Sequence, residues 1–326
     1  MRLIRNGMIG VSETNKYFLR NIIGSHMDNM GYKNSLVVAV TADLAGTCRI
    51  KDFFKNFPER SFNTGIAEQN MVSFASGLAH EGYLPYVFSM SPFISMRACE
   101  QCRTDIAYGN LNVKLIGVYS GFSGGISGAT HWGLEDSAIM SSISGFTVLE
   151  PSDPVQAIKM MDETLSYKGP VYIRVSVEPT FKIYNADNYE YKIGKASIPL
   201  NGEDGAFICS GIVVQKAIRA AEKIYRDYGK KIKVVDMHTI KPIDEDAIIS
   251  AVNTGAVVVA QDHNIIGGLG YHVAAVMVKR CVYSKLIMLG APDKFIPMAH
   301  ADYLYKKYGY DSDGLYSSMV TLLKGQ

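Results

Sequence analysis

The sequence predicts an α/β protein of two consecutive domains, each a largely parallel sheet flanked by helices, and three observations carry that reading. Apolar runs of four to six residues alternate with longer segments of helical period, the rhythm of βα units. The rhythm breaks once, in the polar, tyrosine-rich tract 176–205 with its prolines and glycines, and then resumes. A length of 326 residues with 48% hydrophobic content suffices for two ordinary cores. These features place a first domain at 1–180, a linker at 181–204 and a second domain at 205–326.

In the first half the predicted strands are Ser35–Val40, Tyr83–Phe88, Val113–Val118, Phe146–Glu150 and Val171–Val175, with helices between them. One helix is announced by "SDPVQAIKMMDETL": Asp153 can cap the free amides of its first turn, and Pro154 takes the first helical position, where a missing N–H costs nothing. The second half repeats the series with Ala206–Ser210, a helix around Gln215–Gly229, Lys231–Met237, Asp244–Val252, Ala256–Gln261, a helix after Ile265–Gly270, and Lys285–Leu289.

Composition excludes some partners. With 33 basic residues against 31 acidic, no charge excess draws the chain to nucleic acid or to an anionic membrane, leaving small molecules or proteins. Residues 1–19 show no unbroken apolar leader core, and no later stretch reaches the roughly 18 apolar residues that span a bilayer. The chain therefore reads as soluble and cytoplasmic. Five cysteines suit a reducing compartment, and Cys99 and Cys102, a C-x-x-C without a second ligand pair, read as helical residues beside a core, so no metal site is assigned to this chain.

The stretch "FNTGIAEQNMVSFASGLAHEGYLP" raises the first functional question. From Ala67 the residues Met71, Phe74, Ala75, Leu78 and Ala79 recur as one helix face, and Glu68 begins the next row, near the helix start. On spacing alone Glu68 is a carboxylate favouring the positive end of the helix dipole, worth a few tenths to about 1 kcal/mol. Its surroundings suggest more. Phe62–Gly121 closely resembles the pyrimidine-binding domain of transketolases, and the resemblance continues through "SGATHWGLEDSAIMSSISGFTVLEPSDPVQA", "TIKPIDEDAI" and "QDHNIIGGLGYHVA", so that it covers nearly the whole chain.

The resemblance implies that Glu68 hydrogen-bonds N1′ of the aminopyrimidine ring of thiamine diphosphate, stabilising the imino tautomer whose 4′ nitrogen accepts the thiazolium C2 proton. Burial would help this carboxyl share a proton. Met90, Phe93 and Met96 fall at the family's clamp around that ring, only Phe93 keeping the aromatic type; their spacing of three is equally that of a loop entering a helix in any core. Asp43, in "TADLAGT", matches a cofactor-approaching aspartate at a strand's carboxyl end. His131, in "SGATHWG", would bond the donor's oxygens beside the reacting carbon and counts with Glu68 as catalytic.

The family's G-D-G motif with its downstream Asn, which holds the diphosphate through a divalent cation, has no counterpart ahead of Glu68. The resemblance therefore implies the C-terminal subunit of a split transketolase. Its partner would be an N-terminal subunit that binds thiamine diphosphate and Mg²⁺ (or Ca²⁺ or Mn²⁺), in an α2β2 heterotetramer acting on small-molecule sugars.

Departures from the family pattern concern substrate. The two phosphate-binding arginines would fall at Asn15 and Val177 and the phosphate-binding histidine at Tyr119, while Ser127 replaces a donor-reading aspartate and Ile126 its acidic neighbour. Charge-assisted hydrogen bonds contribute roughly 1.5 to 3 kcal/mol each, so loss of three points away from a simple terminal sugar phosphate and towards a free, modified or nucleotide-activated sugar. Tyr119, Ser127 and His131 are the expected substrate contacts. Arg97 and Arg103 belong to the helix after the clamp, and Arg174 reads as a structural ion pair within a strand. The glycines of "HNIIGGLG" lack dinucleotide-binding spacing, and Asp262 and His263 read as interdomain or loop hydrogen-bonding groups. The alternatives are a β-type subunit of a 2-oxo acid dehydrogenase and an enzyme like 1-deoxyxylulose 5-phosphate synthase.

Overall fold

The computed structural model describes residues 15–324. Residues 1–14, which make up most of the amino-terminal stretch read above for a leader and the start of the first domain, lie outside that range.

The first half runs β1 (Tyr17–Phe18), α1 (Leu19–Lys33), β2 (Val37–Thr41), α2 (Lys51–Asn56), β3 (Ser61–Asn63), α3 (Glu68–His80) and β4 (Leu84–Met90). A π-helical turn at Phe93–Arg97, the short α4 (Cys99–Gln101) and a second π-helical segment at Cys102–Ala107 follow. Then come β5 (Lys114–Val118), α5 (Asp136–Ser142), β6 (Thr147–Leu149), α6 (Pro154–Ser166), β7 (Val171–Val175) and β8 (Pro179–Thr180). Asp153 caps α6, accepting from the backbone N–H of Gln156, with Pro154 in the first turn.

The second half opens with β9 (Ser197–Leu200), β10 (Gly205–Cys209), α7 (Val213–Tyr228), β11 (Ile232–Asp236) and β12 (Thr239–Lys241). It ends with α8 (Glu245–Val252), β13 (Ala256–Asn264), α9 (Leu269–Lys279), β14 (Lys285–Ala291), α10 (Ala301–Lys307) and α11 (Ser312–Lys324). No helix among the described residues is long and apolar enough to cross a membrane.

The first sheet has the order β12-β6-β7-β5-β4-β2-β3 and the second β14-β13-β10-β11-β9. Both are parallel except at one edge, where β12 pairs antiparallel with β6 and β9 with β11. The central strands are buried along their whole length, as expected for strands with helices on both faces. The edge strand β12 comes from beyond residue 205, so the second half completes the first sheet, and β9 lies within the tract read as linker. One apolar cluster accordingly joins Met71, Ala75 and Leu115 of the first half to Ala206, Val235 and Ile248 of the second. Met71 and Ala75 of the predicted α3 face are in that core, but Phe74 is exposed on one side and tilts against Phe62 at 5.1 Å.

Arg174, at the carboxyl end of β7, is fully buried where the two halves meet. Its Nε and Nη2 grip Asp136 at 3.1 and 3.0 Å, and Nη1 donates to Glu150 at 2.6 Å. Nη2 also reaches the carbonyls of Gly133 and Asp262. Burial opposes ionisation of Asp136, yet the Arg174 guanidinium outweighs it and holds that carboxyl below its ordinary range. Glu150 passes the network on, accepting from Ser210 and Gln261 of the second half. Arg174 is thus the structural ion pair its strand position suggested. Replacing it with Met strands two buried carboxylates, and Arg174→Met should lose about 3–5 kcal/mol in a urea melt; a loss under about 1 kcal/mol would contradict this account.

A second buried carboxyl behaves oppositely. Asp236, at the end of β11, accepts from Ser152, Gln156 and Tyr184 through Oδ2, while Oδ1 has no hydrogen-bond partner. Burial, opposed by those donors, pushes it up to about 7. A folded-state value above the unfolded one, about 3.9, makes its stabilisation complete below the unfolded value and lost as pH rises through about 7. Asp236→Asn should therefore flatten the decline in urea midpoint between about pH 4 and pH 7 relative to wild type.

Candidate active site

The carboxyl ends of the first sheet's parallel strands open along one edge, the usual place for a ligand in such sheets. There the end of β3 is tied to β2 by Thr64 N–H donating to the Thr41 carbonyl at 3.0 Å, and Gly65, at φ 71°, turns the chain towards α3. Glu68 is the first residue of α3, its side chain only 1% exposed. The Glu68 Oε2 atom accepts from Arg97 Nη1 at 2.9 Å. Arg97 closes the π-helical turn that begins at Phe93, and its guanidinium carbon lies 3.9 Å from the centroid of the Phe93 ring. The Phe93 ring also meets the His131 imidazole, centroids 5.6 Å apart. The structure thus gathers Glu68, Phe93 and His131 and places Arg97 among them. Such π-helical irregularities recur at functional sites, and here one turns both a ring and a cation towards the start of α3.

The other expected cofactor residues are more scattered. Met90, at the end of β4, packs against the first-domain core, and Met96 is 45% exposed. Asp43 is exposed in the loop after β2, with a left-handed φ of 60°. Its N–H donates to Asn63 Oδ1 at 2.9 Å, and Asn63 Nδ2 returns a bond of 3.3 Å to its carboxylate. Asn63, which sequence reasoning passed over, thereby links the loops after β2 and β3. Among the described residues no cluster of three or more His, Cys, Asp or Glu side chains could hold a metal ion.

The loop 119–133 forms the opposite wall. Tyr119 has φ 64°, an uncommon conformation for a bulky residue. A Cβ on Gly124 would come within 2.3 Å of its ring, so only glycine permits that approach. The loop is anchored in the second half, where the Asp262 carboxylate accepts from Phe122 N–H at 3.0 Å and from the hydroxyls of Tyr305 and Tyr310. Phe122 packs edge-on to Trp132 at 5.0 Å, and Trp132 Nε1 donates to the Gly125 carbonyl.

Outside the loop lies a cavity of about 520 Å³ lined by Tyr119, Gly124, Ser127, Glu178, His300 and Asp302 among others. Tyr119 and Ser127 therefore share one cavity, while His131 sits on the Phe93 side. Glu178 accepts from Gly124 N–H at 3.0 Å. Arg20 approaches Tyr119, donating from Nη1 to its hydroxyl at 3.4 Å. Arg20, Glu178 and His300 were not singled out from sequence, although Glu178 directly follows Val177. Asn15 is exposed and Val177 half-buried. Arg103 is exposed, and Arg174 is consumed by its carboxylates. In the second half, Gly268 opens α9 against the Asn264 carbonyl, and His263 bonds both its neighbour's carbonyl and, through Nε2 at 3.3 Å, the Ala138 N–H of the first half, as an interdomain and loop group does.

Two helix-flanked, largely parallel sheets, with a buried acid and an aromatic ring at the carboxyl ends of the first sheet's strands, make this a two-domain α/β protein. The chain belongs to the transketolase family: residues 16–180 match the transketolase pyrimidine binding domain and residues 194–315 the transketolase C-terminal domain. It is 37% identical to the 6-deoxy-6-sulfo-D-fructose transketolase subunit SqwH of a Clostridium species, over 90% of this chain and 91% of that one. It is 34% identical to an apulose-4-phosphate transketolase subunit of Phocaeicola vulgatus, over 88% and 92% respectively. Among solved structures, a split gene transketolase described as an inactive beta4 tetramer superposes with a TM-score of 0.85 at 31% identity, covering 95% of this chain and 99% of that one.

Because a Cβ on Gly121, at φ 63°, would fall 2.1 Å from the Asp262 carboxyl, Gly121→Ala must break the anchor of this loop. A loss of about 2–4 kcal/mol in denaturant unfolding is expected, with increased proteolysis of the loop 119–133.

Proposed function

We propose that this chain is the pyrimidine-binding, C-terminal subunit of a cytoplasmic split transketolase that moves a two-carbon ketol unit from a ketose donor to an aldose or modified sugar acceptor. The observation that carries the reading is the meeting of the buried Glu68 carboxylate, the Phe93 ring and His131 at the strand ends of a chain in this family. A buried acid beside an aromatic face suits a flat heterocycle with a hydrogen-bonding edge, and the planar Arg97 guanidinium already satisfies both partners. Thiamine diphosphate, when bound, supplies the carbanion-stabilising chemistry of ketol transfer. Glu68 would hold a proton against the ring of the bound cofactor, Phe93 would pack on that ring together with Met90 and Met96, and Asp43 would approach it from the loop after β2. His131 bonds the donor's oxygens beside the reacting carbon.

The diphosphate and its Mg²⁺ are assigned to an N-terminal partner subunit, in an α2β2 assembly. The inactivity named for the β-chain tetramer of the structural neighbour supports the need for a second chain. On the substrate side, Tyr119 and Val177 stand where the resemblance would put cations for a terminal phosphate, and Glu178 brings a carboxylate to the same cavity. That arrangement supports a substrate other than a simple terminal sugar phosphate, with Ser127 and Tyr119 reading hydroxyls. The relatives named for 6-deoxy-6-sulfo-D-fructose and for apulose-4-phosphate support a modified-sugar role, the second with a phosphate on the sugar.

With the partner chain, thiamine diphosphate and Mg²⁺ present, Glu68→Gln should lower kcat by about 10²–10⁴-fold. Unchanged turnover would remove Glu68 from the mechanism. Steady-state kinetics with xylulose 5-phosphate and ribose 5-phosphate should show poor kcat/KM, and efficient turnover of that pair would refute the substrate assignment.

A further inference from the structure

We propose that Arg97 is a resident placeholder for the aminopyrimidine ring: its guanidinium holds the seat between Glu68 and Phe93, and the cofactor enters by displacing it. This rests on the cofactor roles given to Glu68 and Phe93 in the proposed function. Arg97 Nη1 donates to Glu68 Oε2 at 2.9 Å, the bond a ring nitrogen would take. Its guanidinium carbon lies 3.9 Å from the Phe93 ring centroid, on the surface a stacked heterocycle would cover. The Arg97 side chain is 48% exposed whereas that of Glu68 is 1% exposed, so the arginine reaches the buried acid from the solvent side and can withdraw without opening the core.

A guanidinium and an aminopyrimidine share the features this seat reads: both are flat, both bring nitrogen to an edge that hydrogen-bonds a carboxyl group, and both stack on aromatic rings. The two are therefore alternative occupants. Before the cofactor arrives, Arg97 supplies the counter-charge that a buried carboxylate requires. Its withdrawal leaves the Glu68 carboxyl facing a ring edge in place of a cation. Displacement thus converts Glu68 from an ion-pair partner into a hydrogen-bond partner of the ring.

The test compares wild type with Arg97→Met, which keeps an apolar stem over Phe93 and removes the charge. In the complex with the partner chain, calorimetric titration should show the Kd for thiamine diphosphate falling at least fivefold in Arg97→Met. For this chain alone, the melting temperature should drop by about 2–4 °C, and adding Glu68→Gln should restore it by removing the unpaired acid. Unchanged or weaker cofactor affinity in Arg97→Met overturns the proposal, as does a melting temperature that Glu68→Gln does not restore. Sugar turnover enters neither readout, so a complex that follows this pattern but transfers no ketol unit counts against the proposed reaction and leaves the placeholder standing.

Discussion

The buried guanidinium of Arg174 is the constraint on which the rest of the structure depends. It sits at the end of a central strand and satisfies Asp136, Glu150 and two carbonyls from separate segments, one of them Asp262 of β13. Asp262 in turn fastens the loop 119–133 by its backbone. A charge removed so completely from water is tolerable only with every partner in place, so the cluster tolerates little play between the halves. The wall carrying Tyr119, Ser127 and His131 inherits that rigidity.

Two differently managed carboxylates follow from this architecture. Asp136 is kept ionised by a cation that cannot leave, because Arg174 is enclosed on all sides. Glu68 is paired with a cation whose side chain is half in solvent. The contrast is one of access rather than chemistry, since both are Arg–carboxylate pairs. The Arg174 pair is sealed, whereas the Arg97 pair is open to solvent on one side.

The strands β2, β4, β5 and β7 were legible because runs such as Val113–Val118 and Val171–Val175 are apolar but for one buried cation each, as befits doubly covered strands, and the three-residue β6 lies inside the run Phe146–Glu150. The cap of α6 was equally legible from Asp153 and Pro154. The strands β3, β9 and β12 were not, since three or four residues carry too little periodicity to stand out from a loop. The gathering of Glu68, Phe93 and His131 was suggested by resemblance to a family, not by spacing. Arg97 escaped because a regular helix would not show its reach: the π-helical turn redirects its side chain. Glu178 and Arg20 escaped for a different reason, since nothing along the chain says that Arg20 approaches Tyr119 or that Glu178 lines the same cavity.

The strand β12 shows how the two halves are bound at the level of the backbone. It leaves the second half to pair antiparallel with β6, covering what would otherwise be the open margin of the first sheet. A sheet margin without a neighbour offers unpaired amides and carbonyls to any passing chain, and invites aggregation. A fragment cut in the 181–204 tract would keep every residue of the candidate seat and still lose this guard. The second half therefore serves the first as its protection against self-association, whatever else it contributes to the assembly.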